Sequence, residues 1–264
     1  MPKGSLRSLG GLWLATLVVA SLLLPWLPLQ DPLTLDLGHA LQGPSISHLT
    51  GTDALGRDIL SRLLWASRPT LLVVAGATCL DLFLAAVLGT LAASRAGWLD
   101  RFVLLAIDLF WSIPFVVFVV LVVSVIGVSV LTLIATIAGI NWVAATRIIR
   151  AEVLRLRSAD FVRTARAFGF SKPAVLLFEV GPNLRSLLLN LAAYTAIEVL
   201  TLETGLAFLG LSLPAPAPTW GGLLAEGLNY FASAWWLAGS SAIVITLTLA
   251  SLHLLARDIE ATLD

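Results

Sequence analysis

Apolar residues run nearly unbroken through six stretches of the chain, approximately 11–29, 69–93, 102–126, 128–145, 186–206 and 235–256. A helix needs about 20 mainly apolar residues to cross a hydrocarbon layer of about 30 Å, because each backbone N–H and C=O must find its partner within the segment. The pattern predicts an all-α polytopic membrane protein with about six transmembrane helices. Only Gly127 separates the third stretch from the fourth, so their shared boundary is the least defined. The first stretch, preceded by Lys3 and Arg7, also fits a cleaved leader. It is followed by Leu-Pro-Trp-Leu-Pro rather than a small-x-small site, which favours a retained helix.

Composition sharpens this picture. The 264 residues are 58% hydrophobic and 12% charged, beyond the range of a water-soluble domain. Sixteen basic and sixteen acidic side chains cancel, which argues against nucleic-acid binding driven by net positive charge. Cys79 is the only cysteine and reads as a small buried apolar filler. His39, His48 and His253 show no zinc-ligand spacing, and no metal site is expected. His253 suits an anchor at the membrane interface.

The placement of the basic residues sets the orientation. With both termini in the cytoplasm, Lys3, Arg7, Arg95, Arg101, Arg147, Arg150, Arg155, Arg157, Arg163, Arg166, Lys172, Arg185 and Arg257 lie inside, and only Arg57, Arg62 and Arg68 lie outside. Lys and Arg are retained on the cytoplasmic side of short loops, so this frame is preferred over its inverse. It divides the chain into an N-terminal tail with the first helix (1–30), an external loop with an amphipathic segment (31–68) and a five-helix core (69–264). The core carries a long cytoplasmic loop (146–183) and an external strip (207–234).

The cytoplasmic loop predicts two short helices. Ser158 or Asp160 can cap the first, Phe161, Ala165 and Phe168 recur on one face, and Gly169 supplies a left-handed stop. Ser171 can cap the second, with Pro173 in its first turn. Arg163 and Arg166 fall on a different face from the apolar stripe. Periodicity alone fits an interfacial helix resting among lipid headgroups. The segment Asp160-Phe-Val-Arg-Thr-Ala-Arg-Ala-Phe-Gly169, followed by Gly181-Pro182-Asn183, resembles the cytoplasmic loop of binding-protein-dependent ABC importer permeases. That loop reads Glu-Ala-Ala, three residues, Gly, about nine residues, an apolar pair and Pro. The matching positions are Arg163, Thr164, Ala165, Gly169 and Pro182; Arg163 stands where the family has Glu, and Gly181 where it has Leu. The resemblance implies a coupling helix that docks into an ATPase subunit, with Asp160, Phe161, Arg166 and Phe168 in the same segment.

Two external motifs narrow the resemblance. Leu49-Thr-Gly-Thr-Asp-Ala-Leu-Gly-Arg-Asp-Ile-Leu-Ser-Arg62 has glycines that permit tight turns at Gly51 and Gly56, ahead of an amphipathic run through Trp65. By itself it describes a folded loop, with Thr52, Asp53, Arg57, Asp58, Ser61 and Arg62 as its polar members. Glu203-Thr-Gly-Leu-Ala-Phe-Leu-Gly-Leu-Ser-Leu-Pro-Ala-Pro-Ala-Pro-Thr-Trp-Gly221 follows the fifth span, continued by Leu-Ala-Glu-Gly-Leu-Asn-Tyr230. Pro214, Pro216 and Pro218 forbid a regular helix there, and a stiff extended strip is expected. Both motifs look like those of the dipeptide, oligopeptide and nickel branch of these permeases, second-permease type, from about residue 45 onward. The resemblance implies a type I (MetI-like) permease fold in a bacterial inner membrane. It also implies a second paralogous permease, two cytoplasmic ATPase subunits or domains that bind ATP and Mg, and an external solute-binding protein. Short peptides are the first-ranked cargo, with nickel or a metal chelate as the alternative.

Four carboxylates, Asp81, Asp108, Glu198 and Glu203, fall within or at the edge of apolar spans, where an ionised group costs about 2.5–3.5 kcal/mol on insertion scales. Each must face protein or a water-filled cavity. Asp108 and Glu203 match positions usually acidic in the branch and suit helix contacts, whereas Asp81 and Glu198 are the better candidates for lining a path. The chain has no phosphate-binding Gly-x-x-x-x-Gly-Lys-Ser/Thr loop, no paired catalytic residues and no cofactor motif, so energy must come from another polypeptide. A secondary transporter driven by ions through the buried carboxylates is the main rival, and a membrane scaffold is a third reading.

Overall fold

The computed structural model describes residues 3–26, 30–94, 97–214 and 216–263. The side chains of Lys3 and Arg7, all of Arg95, and the last three residues of the first expected span lie outside that description. The helices are α1 (Lys3–Leu23), α2 (Ile59–Ser94), α3 (Trp98–Ser112), α4 (Phe115–Ile126), α5 (Val130–Arg157), α6 (Asp160–Ala167), α7 (Lys172–Val175), α8 (Gly181–Asn183), α9 (Arg185–Phe208), α10 (Trp220–Asn229) and α11 (Trp235–Leu263). Five are long and apolar enough to cross a membrane, and the number rises to six if the bent pair of α3 and α4 is counted as one broken span. The described residues form no β-strand beyond a single bridge between Thr52 and Asp58.

The spans depart from their expected outlines in ways the chain explains. The second begins ten residues earlier than its hydropathy suggested, because the amphipathic run from Ile59 continues through Pro69 as one helix. The expected boundary between external loop and core therefore falls inside α2. The third is not one straight helix. It turns by 87° between α3 and α4, where Pro114 has no N–H to donate and pushes Ile113 into the extended region (φ −87°, ψ 122°). Gly127, at φ 87°, then ends α4, and the Ser129 hydroxyl accepts from the Thr132 N–H at 3.0 Å to start α5. Helix α5 runs on to Arg157, so the first part of the expected cytoplasmic loop is a continuation of the span. The expected extended strip is instead a run of turns among the described residues: α9 continues to Phe208, Gly210 has φ 73°, the Ala217 N–H donates to the Pro214 carbonyl at 3.3 Å, and Thr219 caps α10 by accepting from the Gly222 N–H at 3.0 Å.

Helices α2 and α5 form the most extensive contact in the bundle. Small residues make it possible: Ala77, Ala85, Ala92 and Ala93 are buried along α2, and a Cβ on Gly89 would come within 2.9 Å of the Thr146 carbonyl oxygen. Without a hydrophobic drive between helices in lipid, such close backbone approach is what dispersion requires. Helix α1 lies against α11, where the Trp13 indole N–H donates to the Thr248 hydroxyl at 3.2 Å. Trp220 is wholly buried beside the first turns of α2, donating from its ring to the Leu63 carbonyl at 3.0 Å. Cys79 is exposed on the chain's surface rather than buried, since it sits on a flank of α2 away from α5.

Candidate functional site

Where α2 and α5 end, the chain folds into an elbow. Helix α5 stops at Arg157, α6 follows after two residues, and Gly169 at φ 87° reverses the chain into α7. Ser171 caps α7 by accepting from the Ala174 N–H at 3.4 Å. A π-turn over residues 176–180 and the short α8 lead into α9, with Pro182 exposed in α8. Neither expected cap serves α6. Its N-cap is Ala159, and the Ser158 hydroxyl instead donates back to the Arg155 carbonyl at 2.7 Å. The buried face also differs from the expected Phe161–Ala165–Phe168 stripe. Val162 and Ala165 point inward, whereas Phe168 is 79% exposed. Val162, Ala165, Val175 and Val180 share one apolar cluster with Ala85 and Ala93 of α2 and Ile149 and Val153 of α5. The elbow is thus part of the packed body, with Phe161, Arg163, Thr164, Arg166 and Phe168 on its surface. Asp160 approaches Arg163 only at 3.8 Å, in an exposed pair of little energetic weight.

At membrane depth the structure brings two of the sequence-selected carboxylates together. The Asn141 side-chain amide of α5 donates to Asp81 of α2 at 3.3 Å and to Glu198 of α9 at 3.2 Å. Asp81 is fully buried and Glu198 is exposed on the surface of the chain. Glu198 lies about 20 Å along α9 from Arg185 at its start and about 15 Å from Phe208 at its end, at about 1.5 Å per residue. A carboxylate exposed at that depth cannot face hydrocarbon without the insertion cost above, so this flank of α9 faces protein or water.

The other two carboxylates are placed differently. Asp108 accepts from Arg147 at 2.6 Å, and the Arg147 guanidinium lies 4.1 Å from the centre of the exposed Trp111 ring. One turn further along α5, Arg150 grips Asp100 through two bonds of 2.6 and 2.7 Å, tying α5 to the start of α3. Glu203 is 2% exposed, and neither of its carboxylate oxygens has a hydrogen-bond partner among the described residues.

The external motif folds into a polar knot at the head of α2. Asp53 is fully buried and accepts from Arg57 Nε at 2.6 Å, from Arg62 Nη1, and from the backbone N–H groups of Leu55 and Arg57 at 2.8 and 3.0 Å. Arg62 reaches on to Glu226 of α10 at 3.0 Å. Asp58 accepts from the Ser61 N–H at 2.8 Å at the start of α2, while its other oxygen meets His48 Nδ1 at 3.0 Å. Thr52 accepts from the Gln42 N–H at 2.9 Å, its carbonyl faces the Trp236 indole at 3.4 Å, and Gly51 packs beneath that ring. The Ser61 hydroxyl donates to the Gln30 carbonyl. Gly56, at φ 74°, donates its N–H to the Asp53 carbonyl at 3.0 Å, so all eight motif residues build or support one capping structure.

Sequence reading missed the residues that connect these groups. Asn141 was a single amide in an apolar run, and its position in the middle of α5 was the available signal. Glu226 belonged to a quoted motif but had no assigned partner, and Arg147 and Arg150 were counted only as topology markers.

Helices long and apolar enough to span a membrane, an elbow packed onto two of them and a polar cluster at mid-depth define a polytopic membrane protein. Residues 85–260 match the family described as binding-protein-dependent transport system inner membrane component, and the chain belongs to it. A putative peptide transport system permease protein of Brucella suis is 29% identical over 268 residues, covering 100% of this chain and 88% of the relative. The oligopeptide transport system permease protein OppC of Mycobacterium tuberculosis H37Rv is 29% identical over 264 residues, covering 99% and 90%. A putative peptide permease protein of Brucella suis is 31% identical over 242 residues, covering 89% and 80%.

Proposed function

We propose that this chain is one permease subunit of an ATP-driven importer of short peptides, working beside a second, paralogous permease. Two cytoplasmic ATPase subunits or domains bind ATP and Mg, and an external solute-binding protein delivers the cargo. Both termini face the cytoplasm. The peptide assignment rests on the names of the relatives, two of which are peptide permeases and one an oligopeptide permease. The cargo is delivered to the external face, where the knot and the proline strip meet around Arg57, Arg62, Pro218 and Glu226.

The observation that carries the reading is the shared core of α6 with α2 and α5. A loop tethered by exposed residues would swing without consequence, whereas a helix packed by Val162 and Ala165 must move those spans when a partner pushes it. ATPase closure would then shift the bundle between inward- and outward-open arrangements. The path runs along the flank of α9 that displays Glu198, supported by Asn141 and Asp81.

Deleting residues 161–169 tests the reading. The expected result is loss of ATPase co-purification and of peptide uptake, with the chain still inserted in the membrane. Uptake that persists in that variant, or that follows an ion gradient in vesicles without ATP, would transfer the protein to the secondary-transporter class.

A further inference from the structure

Beside the elbow lies a groove of about 390 Å³ that the transport reading does not use. Its mouth carries three cations from three helices: Arg157 at the end of α5, Arg166 in α6 and Lys172 at the start of α7. Among the described residues none of the three pairs with a carboxylate. Glu152 is held by Arg155 at 2.6 Å, exposed Asp160 approaches Arg163 only at 3.8 Å, and Arg157 donates to the Ala93 carbonyl. The wall is apolar, formed by Leu91 of α2 with Val175 and Leu176. Leu91 is 43% exposed, so this wall continues onto the outer surface of a spanning helix.

The groove sits at the ends of α2 and α5, both long and apolar enough to cross a membrane, and headgroups flank the ends of such spans. We propose that it binds the phosphodiester of an anionic glycerophospholipid, with the three cations on the phosphate and the glycerol and upper acyl chain against Leu91 and Leu176. Charge and shape both select this occupant. Three uncompensated cations call for an anion, and a soluble anion would leave the greasy wall wet. Arg166 follows buried Val162 by one helical turn, so it flanks the packed side of α6 rather than the side opposite. A bound lipid would touch α2, α5, α6 and α7 together and hold the elbow against the spans. That effect on coupling rests on the import reading; binding itself does not.

Native mass spectrometry of the full-length chain, titrated with phosphatidylglycerol or with phosphatidylcholine of the same acyl chains, tests the site. Phosphatidylglycerol is expected to bind roughly tenfold more tightly or better. Arg166→Gln with Lys172→Gln should abolish that preference, and Arg155→Gln, which removes a cation outside the groove, should preserve it. Lys172→Gln alone, an exposed change that leaves the packing intact, should lower the preference partway. Equal binding of the two lipids overturns the proposal, as does a double variant that retains the wild-type preference. Competition by millimolar inorganic phosphate that matches the lipid and depends on the same two cations would reassign the groove to a soluble anion. Should the lipid bind as stated while the residue 161–169 deletion leaves uptake intact, the lipid site stands and the coupling reading falls.

Discussion

A Cβ placed on Gly56 would lie 1.6 Å from the carbonyl oxygen of Asp36. Gly56 also has φ 74°, a region that L side chains avoid, and its N–H donates to the Asp53 carbonyl at 3.0 Å. Gly56→Ala therefore combines backbone strain with a contact against an atom that cannot move aside. The external knot should open at a cost above about 3 kcal/mol. Thermal unfolding in detergent and limited proteolysis of residues 31–58 would record it as a lower Tm and new cleavage.

Within the knot, Arg62 and Glu226 should prove unequal. Asp53 is completely enclosed, and Arg62→Leu removes one of its two cations while Arg57 and two backbone N–H groups remain, for a cost of about 2–3 kcal/mol. The Glu226 side chain is 27% exposed, and water can replace part of what Glu226→Gln removes, for a cost of about 1 kcal/mol. A double-mutant cycle on Tm would measure the coupling directly.

The shared donor at mid-depth makes a separate prediction. Asn141→Leu leaves Asp81 and Glu198 without the amide between them and should lower peptide uptake about tenfold or more, with co-purifying subunits retained. Glu198→Gln should also lower uptake, whereas an exposed, structurally idle carboxylate would tolerate the amide. Wild-type uptake rates in both variants would remove this flank of α9 from the path.

Two glycines on α2 should differ in a way that distinguishes tight backbone packing from side-chain crowding. Gly89→Ala drives its Cβ to 2.9 Å from the Thr146 carbonyl oxygen and 3.1 Å from the Arg150 nitrogen, so the helices must part, at about 2–3 kcal/mol. Gly76→Ala meets the terminal carbon of Ile134 at 2.6 Å, and that end can rotate away at about 1 kcal/mol. Folded yield and Tm should rank Gly89→Ala below Gly76→Ala.

Hydropathy announced the spans because hydrocarbon imposes one demand, internal pairing of every backbone group, on every residue of a crossing segment. The turn at Ile113–Pro114 was equally written in the chain, but a window averaged over 20 residues conceals a single proline. The face of α6 was misread for a different reason. Phe161 and Phe168 are apolar and exposed, and a surface awaiting a partner carries the same residue types as a core. Pairings such as Arg147 with Asp108, Arg62 with Glu226, and Asn141 with two carboxylates depend on which helices lie side by side, which local spacing does not encode.

Helix α2 is a 36-residue rod of about 54 Å, with the buried Asp53 knot at one tip and the elbow's core at the other. Both tips are fastened, so the rod behaves as a see-saw rather than a whip. A tilt of about 5° about its midpoint carries the two tips by about 2 Å each, in opposite directions. In the proposed importer, a push on the elbow at one tip would therefore be felt at the knot on the other.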